Sequence, residues 1–303
     1  MLAFNYNIFR NKKGDIMEKV LRERLKAEKR ILDILGAKKM EGKDKKVASY
    51  VARQLTNVKT GAIRVERVVN LNTAFNDALN NIKILGSDVV IAAKNFSTIK
   101  FMPIDPTSLA YACNISFDVS DETMEVDQSS GKIDHFKIPQ YLDASSADIF
   151  LAHEFIHALK ETNYQEYILI NSLSDVIPMF YELVQISNDT ERKKDFLNIR
   201  MSLLMLEKNN YNMATANITR SRNDAELYKV LQGRSGQYLN SFYYSLVLFN
   251  VYKSDPNLVL SAIKKVLNHE MTTLDMLINL GIYQENFDKV FNEELSSIRK
   301  SLK

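Results

Sequence analysis

A single cysteine, Cys113, leaves no partner for an intramolecular disulfide, so nothing in cysteine usage asks for an oxidising compartment and a cytoplasmic setting is expected. Tryptophan is absent, and nine glycines and five prolines are few for 303 residues. That scarcity of turn formers argues against a turn-rich β fold and for helices joined by short connections. Long apolar runs are missing too. No stretch nears the roughly 20 apolar residues of a membrane helix, and Met1–Arg10 has neither the basic start nor the apolar run of a signal peptide. Neither sign of charge dominates: a net charge of +3, with 25% charged residues, gives no electrostatic reason to expect nucleic acid or a membrane surface as partner.

With 46% hydrophobic residues, the chain has enough apolar material for a large core. Apolar residues recur at helical spacing over about 15–35, through Val47, Tyr50, Val51 and Leu55, and over 71–85. Between 88 and 138 the pattern shifts toward β-branched and alternating residues. Strands are expected at Val89–Ile91, Ile115–Val119, Met124–Val126 and Ile133–Ile138, the last three as an antiparallel meander turning at Asp121-Glu122 and Ser129–Gly131. Beyond 157 the reading is again helical: about 175–188, 193–208, 223–232, 235–253, 257–268, 271–280 and 285–302, punctuated by Gly233, Gly236, Asp255-Pro256 and Gly281. The expected class is therefore α+β, mainly α-helical, with a small antiparallel sheet before an all-helical C-terminal half. An N-terminal helical region over 1–86 precedes a second region over 87–303, the two forming either separate units or one.

Histidine is rare as well, and its placement is informative. The chain has four, two of them within one helical turn in Leu151-Ala-His153-Glu154-Phe-Ile-His157-Ala-Leu159. Positions i and i+4 share a helix face, so His153 and His157 can offer nitrogens to one Zn²⁺. Glu154 is then positioned to take a proton from a zinc-bound water. The flanking Ile149, Phe150, Phe155, Ile156 and Leu159 make this helix apolar around most of its circumference, where imidazoles and a carboxylate need partners. Ser145-x-x-Asp148 resembles a capping box at its start.

A hydrolytic zinc site has three protein ligands. A third histidine in a His-Glu-x-x-His-x-x-Gly-x-x-His pattern is excluded, because Lys160 and Asn163 occupy the diagnostic positions. The acidic candidates that follow are Glu161, Glu166, Asp175 and Glu182. Glu182 is preferred, since it lies on an apolar stripe with Met179, Leu183 and Ile186 of a helix that starts near Ser174–Pro178. An ion pair with Arg or Lys from another helix is the alternative role for a carboxylate there. Asp175, seven residues earlier, is a candidate for orienting a ligand imidazole.

The zinc motif with Glu182 placed 25 residues beyond His157 resembles the gluzincin metallopeptidases, and most of all the thimet oligopeptidase and oligoendopeptidase F family. Gln237-Tyr238-Leu-Asn-Ser-Phe-Tyr243-Tyr244 is similar to that family's tyrosine-rich segment. The resemblance spans about the C-terminal half. It implies a zincin-like fold, zinc as cofactor, oligopeptide substrates, and Tyr238, Tyr243 and Tyr244 as candidates to stabilise an oxyanion. The chain departs from the family at Ile156, where glycine is usual, and in its shorter length. The expected function is zinc-dependent peptide hydrolysis with Glu154 as base; the alternative is a helical binding or regulatory protein with a structural or degenerate zinc site. Oligomeric state is not legible.

Overall fold

The computed structural model describes residues 43–61, 71–94, 99–102, 124–126, 133–139, 146–160, 173–216 and 236–303. The helices expected over 15–35 and 223–232, and the strand expected over 115–119, lie outside these residues.

Helix α1 (Lys43–Leu55) buries Val47, Ala48, Val51, Ala52 and Leu55, the i, i+4 stripe of an amphipathic helix. Helix α2 (Leu71–Asn81) tightens into a 3₁₀ turn over Ile82–Leu85 that stops at Gly86, where φ is 121°. A Cβ there would come 2.5 Å from Asp88 Oδ1, and the backbone conformation would itself be strained for any other residue. Helix α3 (Ser87–Lys94) follows, and β1 (Ile99–Met102), β2 (Met124–Val126) and β3 (Ile133–Pro139) come next. The C-terminal half contains α4 (Ala147–Lys160), α5 (Val176–Ser187), α6 (Lys193–Ala216), α7 (Gln237–Ser254), α8 (Pro256–Leu267), α9 (Thr273–Asn279) and α10 (Asp288–Ser301). Asp255-Pro256 is the break expected of it: the Asp255 side chain accepts from Leu258 N at 3.0 Å, and proline takes the first helical position.

Two buried helices form the centre. Every residue of α5 from Val176 to Val184 is buried, and so is every residue of α7 from Leu239 to Leu248. Helix α5 packs between α4 on one side and α7 on the other; α7 also meets α1, α6, α8 and α10, while α4 also meets α2, α3 and α8. The described core runs through all of these helices from Val47 to Ile298 without a break at residue 86. None of the described helices is long and apolar enough to cross a membrane.

The expected α+β class with a small antiparallel sheet is overturned. The described fold is mainly helical, and its core is built from helices and the turns between them. Of the expected meander, Met124–Val126 and Ile133–Ile138 do pair antiparallel as β2 and β3, but the order is β1-β3-β2 and the unexpected β1 runs parallel to β3, so the sheet is mixed. Val89–Ile91 is not a strand but the middle of α3. Consecutive Val89 and Val90 are both buried while Ile91 is 63% exposed, a pattern that a helix tolerates and an alternating strand does not. The β preference of the three residues is weak beside the core contacts that helical geometry gives to Val89, Val90 and Ala93.

Candidate metal centre

Three elements bring the site together. Helix α4 carries His153 and His157 on one face, their ring centroids 4.9 Å apart. The turn before α5 supplies Asp175, and the first residue of α7 is Gln237. Asp175 stands at the N-cap position of α5, where an aspartate usually bonds the helix's own N–H groups, yet its side chain makes no cap bond. It turns to the histidines instead. Pro178 is tolerated in the first turn of α5 because the amides there have no intrahelical acceptor.

Three atoms form a nearly equilateral triangle. His153 Nε2 lies 3.2 Å from His157 Nε2, His157 Nε2 lies 3.2 Å from Asp175 Oδ1, and His153 Nε2 lies 3.4 Å from the same Oδ1. With Asp175 ionised, no assignment of protons satisfies all three edges. The His–His edge needs one nitrogen bare, and the two edges to the carboxylate need both nitrogens protonated. A single cation at the centre satisfies all three at once. A tetrahedral ion with bonds of ~2.0–2.1 Å requires ligand atoms about 3.3–3.4 Å apart, so the spacing fits without rearrangement. All three residues are buried, with His157 the most open at 9%.

The carboxylates around this triangle are themselves held. Asp175 Oδ2 accepts from Ser174 Oγ at 2.8 Å and from Gln237 Nε2 at 2.8 Å, and Gln237 also reaches Ser174 Oγ. That leaves Oδ1 facing the imidazoles. Burial opposes the charge on Asp175, but His157 and His153 outweigh it and hold the carboxyl well below the usual carboxylate range. On the other side of the site, His153 Nδ1 lies 2.6 Å from Glu182 Oε1, a close polar contact whose angle is not that of an aligned hydrogen bond. Glu182 Oε2 accepts from Arg200 Nε at 2.8 Å, and Arg200 Nη2 closes a second contact on Oε1. A proton on His153 Nδ1 leaves Nε2 with its lone pair toward the triangle.

Comparison with protein-family models, with curated proteins and with solved structures finds no match for this chain.

The structure therefore exchanges the two carboxylates. Glu182, expected as third ligand, pairs with Arg200 and touches the far nitrogen of His153; Asp175, expected behind a ligand, faces both Nε2 atoms. The reason is geometric. Glu182 lies two turns into α5 and reaches His153 from the side opposite the triangle, whereas Asp175 sits where the chain enters the helix. Glu154 lies on α4 between His153 and Phe155, but its side chain is outside the described residues.

The tyrosines divide. Tyr238, on the first turn of α7, is 37% exposed and one residue from Gln237. Tyr243 donates to Asp288 Oδ1 at 3.0 Å and accepts from Phe287 N at 3.0 Å, and Tyr244 stacks on Tyr283 with centroids 5.6 Å apart. These two belong to the packing of α7 against α1 and α10. Asp148 accepts from Arg192 Nη1 at 2.9 Å and Asn81 Nδ2 at 2.8 Å; the capping box expected with Ser145 lies outside the described residues.

Arg200, Gln237 and Ser174 were not singled out by sequence. A signal existed for Arg200: Phe196, Leu197, Met201 and Leu204 are the buried stripe of α6, and a cation on that stripe needs a buried anion. Nothing comparable marks Gln237 or Ser174.

Proposed function

We propose that this chain is a zinc-dependent metallopeptidase. The observation that carries the reading is the convergence of His153 Nε2, His157 Nε2 and Asp175 Oδ1 at spacings that protons cannot satisfy and one divalent ion can. Three protein ligands among the described residues fit a catalytic site better than a closed four-ligand structural one. A divalent ion held there supplies Lewis acidity toward a carbonyl and toward water.

The remaining steps fall to side chains. Glu154 follows the first ligand directly, the position from which a carboxylate takes a proton from the attacking water and hands it to the leaving amine. Ser174 and Gln237 hold Asp175 so that one oxygen stays turned to the histidines. Of the three tyrosines, Tyr238 is the most exposed and stands beside Gln237, which makes it the candidate to donate to an oxyanion, whereas the Tyr243 hydroxyl is engaged with Asp288 and the Tyr244 hydroxyl is buried. Short peptides in the cytoplasm are the proposed substrates, the compartment resting on the lone Cys113.

Elemental analysis of the purified protein, followed by digestion of a peptide library with and without chelator, tests this reading. Glu154→Gln should retain the metal and lose ~10²–10⁴-fold in turnover. Full turnover in that variant excludes the mechanism, and metal without any peptide cleavage in the wild type points to a structural or degenerate site.

A further inference from the structure

Behind the triangle, a second layer joins three helices. Arg200 of α6 grips both oxygens of Glu182 on α5, and the Glu182 oxygen that Arg200 Nη2 contacts is also the one 2.6 Å from His153 Nδ1 on α4. The Arg200 guanidinium also lies over the ring of Phe150, with its Cζ 5.0 Å from the centroid, one turn before His153 on α4. Glu182 is 1% exposed and Arg200 is 9% exposed. For stability alone this is a poor use of a buried position, because two apolar side chains of similar volume serve as well or better. What an apolar pair cannot provide is a carboxylate fixed 2.6 Å from His153 Nδ1.

We infer that Arg200 is a positioning residue for the metal centre, acting through Glu182 on the orientation and tautomer of His153. The inference rests on the metal reading above. Arg200 holds the carboxylate plane with two contacts, so Glu182 Oε1 cannot swing away from the imidazole. With Nδ1 thus occupied, the ring presents Nε2 to Asp175 Oδ1 and His157 in the geometry a cation needs. A lysine at 200 would keep the charge and lose the planar fork.

The test is metal affinity, measured by competition with a chromophoric chelator for Zn²⁺ and by the visible bands of Co²⁺ added to metal-free protein. Circular dichroism checks that each variant is folded. Arg200→Met should weaken Zn²⁺ binding ~10–100-fold and change the Co²⁺ spectrum, with Arg200→Lys intermediate. Glu182→Met should show a loss of the same order, and adding Arg200→Met to it should change the affinity by no more than about twofold, because the link is already cut. The double variant replaces the ion pair with an apolar one, so it is expected to fold; if Arg200→Met alone does not, Arg200→Lys against Glu182→Met decides.

Affinity and spectrum within about twofold of wild type in the arginine variants would overturn the inference while leaving the metal reading intact. So would equal losses from Arg200→Met with and without Glu182→Met, which would assign Arg200 to the fold alone. Wild-type protein that takes up neither ion overturns the metal reading itself.

Discussion

Helix α7 contributes to two polar clusters, and they differ in how their hydrogen bonds close. At its middle, the Tyr243 hydroxyl donates to Asp288 and accepts from Phe287 N, and Tyr283, stacked on Tyr244, donates to Asp44 Oδ1 at 3.1 Å. Both of these hydroxyls have a protein partner of the right polarity, and the result ties α7, α10 and α1 together. At its start, Gln237 supports an aspartate whose other oxygen meets two imidazole nitrogens, and protonating both for the carboxylate leaves the 3.2 Å edge between them unmet. A network that closes on itself needs nothing further. One that converges on a point where no proton count meets every edge is what supports the metal proposal.

The largest effect that could break this comparison is at Asp175. Asp175→Ala should cost more than ~100-fold in Zn²⁺ affinity, beyond the ~10–100-fold typical of groups behind the ligands. Glu182→Met belongs to that smaller range. Parallel Zn²⁺ titrations rank the two, and a larger loss from Glu182→Met would restore Glu182 as the ligand and reduce the triangle to a packing accident. Tyr243→Phe should leave Zn²⁺ affinity unchanged, since its partners lie on α10 and in the turn before it.

Much of the site was legible because helical spacing is local. His153 and His157 meet at i, i+4 whatever surrounds them, and the burial of α4 followed from Phe150, Phe155, Ile156 and Leu159. Choosing between Asp175 and Glu182 was not local. It depends on how α5 enters the core and on Arg200, 18 residues beyond Glu182, reaching that carboxylate first. The helices over 176–187, 237–254 and 256–267 were foreseeable to within a few residues from their apolar period and from Asp255-Pro256. The error at Val89–Ile91 came from treating three β-branched residues as a strand, when Gly86 ends the preceding turn and Ala92-Ala93-Lys94 continue a helix. The antiparallel pairing of β2 with β3 was legible from the short connection between them, whereas β1 and its parallel pairing were not, because partners such as Ile99 and Phe136 are far apart in the chain.

A smaller effect sharpens the contrast from the other side. Tyr243→Phe removes a hydroxyl bonded to a carboxylate and leaves both Asp288 Oδ1 and Phe287 N without that partner. The expected cost is about 1.5 kcal/mol, read as a lower urea midpoint at unchanged slope. A fall in peptide turnover without loss of stability would instead return Tyr243 to the reaction.

The smallest effect concerns Tyr244, one residue further along the same helix. Its ring is fully buried and stacked on Tyr283, while its hydroxyl makes no hydrogen bond among the described residues. Burial, and then the nearby charge of Asp44, push its ionisation far above the ordinary tyrosine range, so the group stays neutral. Losing a hydroxyl that is already unsatisfied should not destabilise a core. Tyr244→Phe is therefore expected to be neutral or to stabilise by up to ~1 kcal/mol, in contrast to its neighbour at 243. A loss as large as that of Tyr243→Phe would mean that the hydroxyl has a partner after all, and the two-sided closure described for this cluster would have to be redrawn around it.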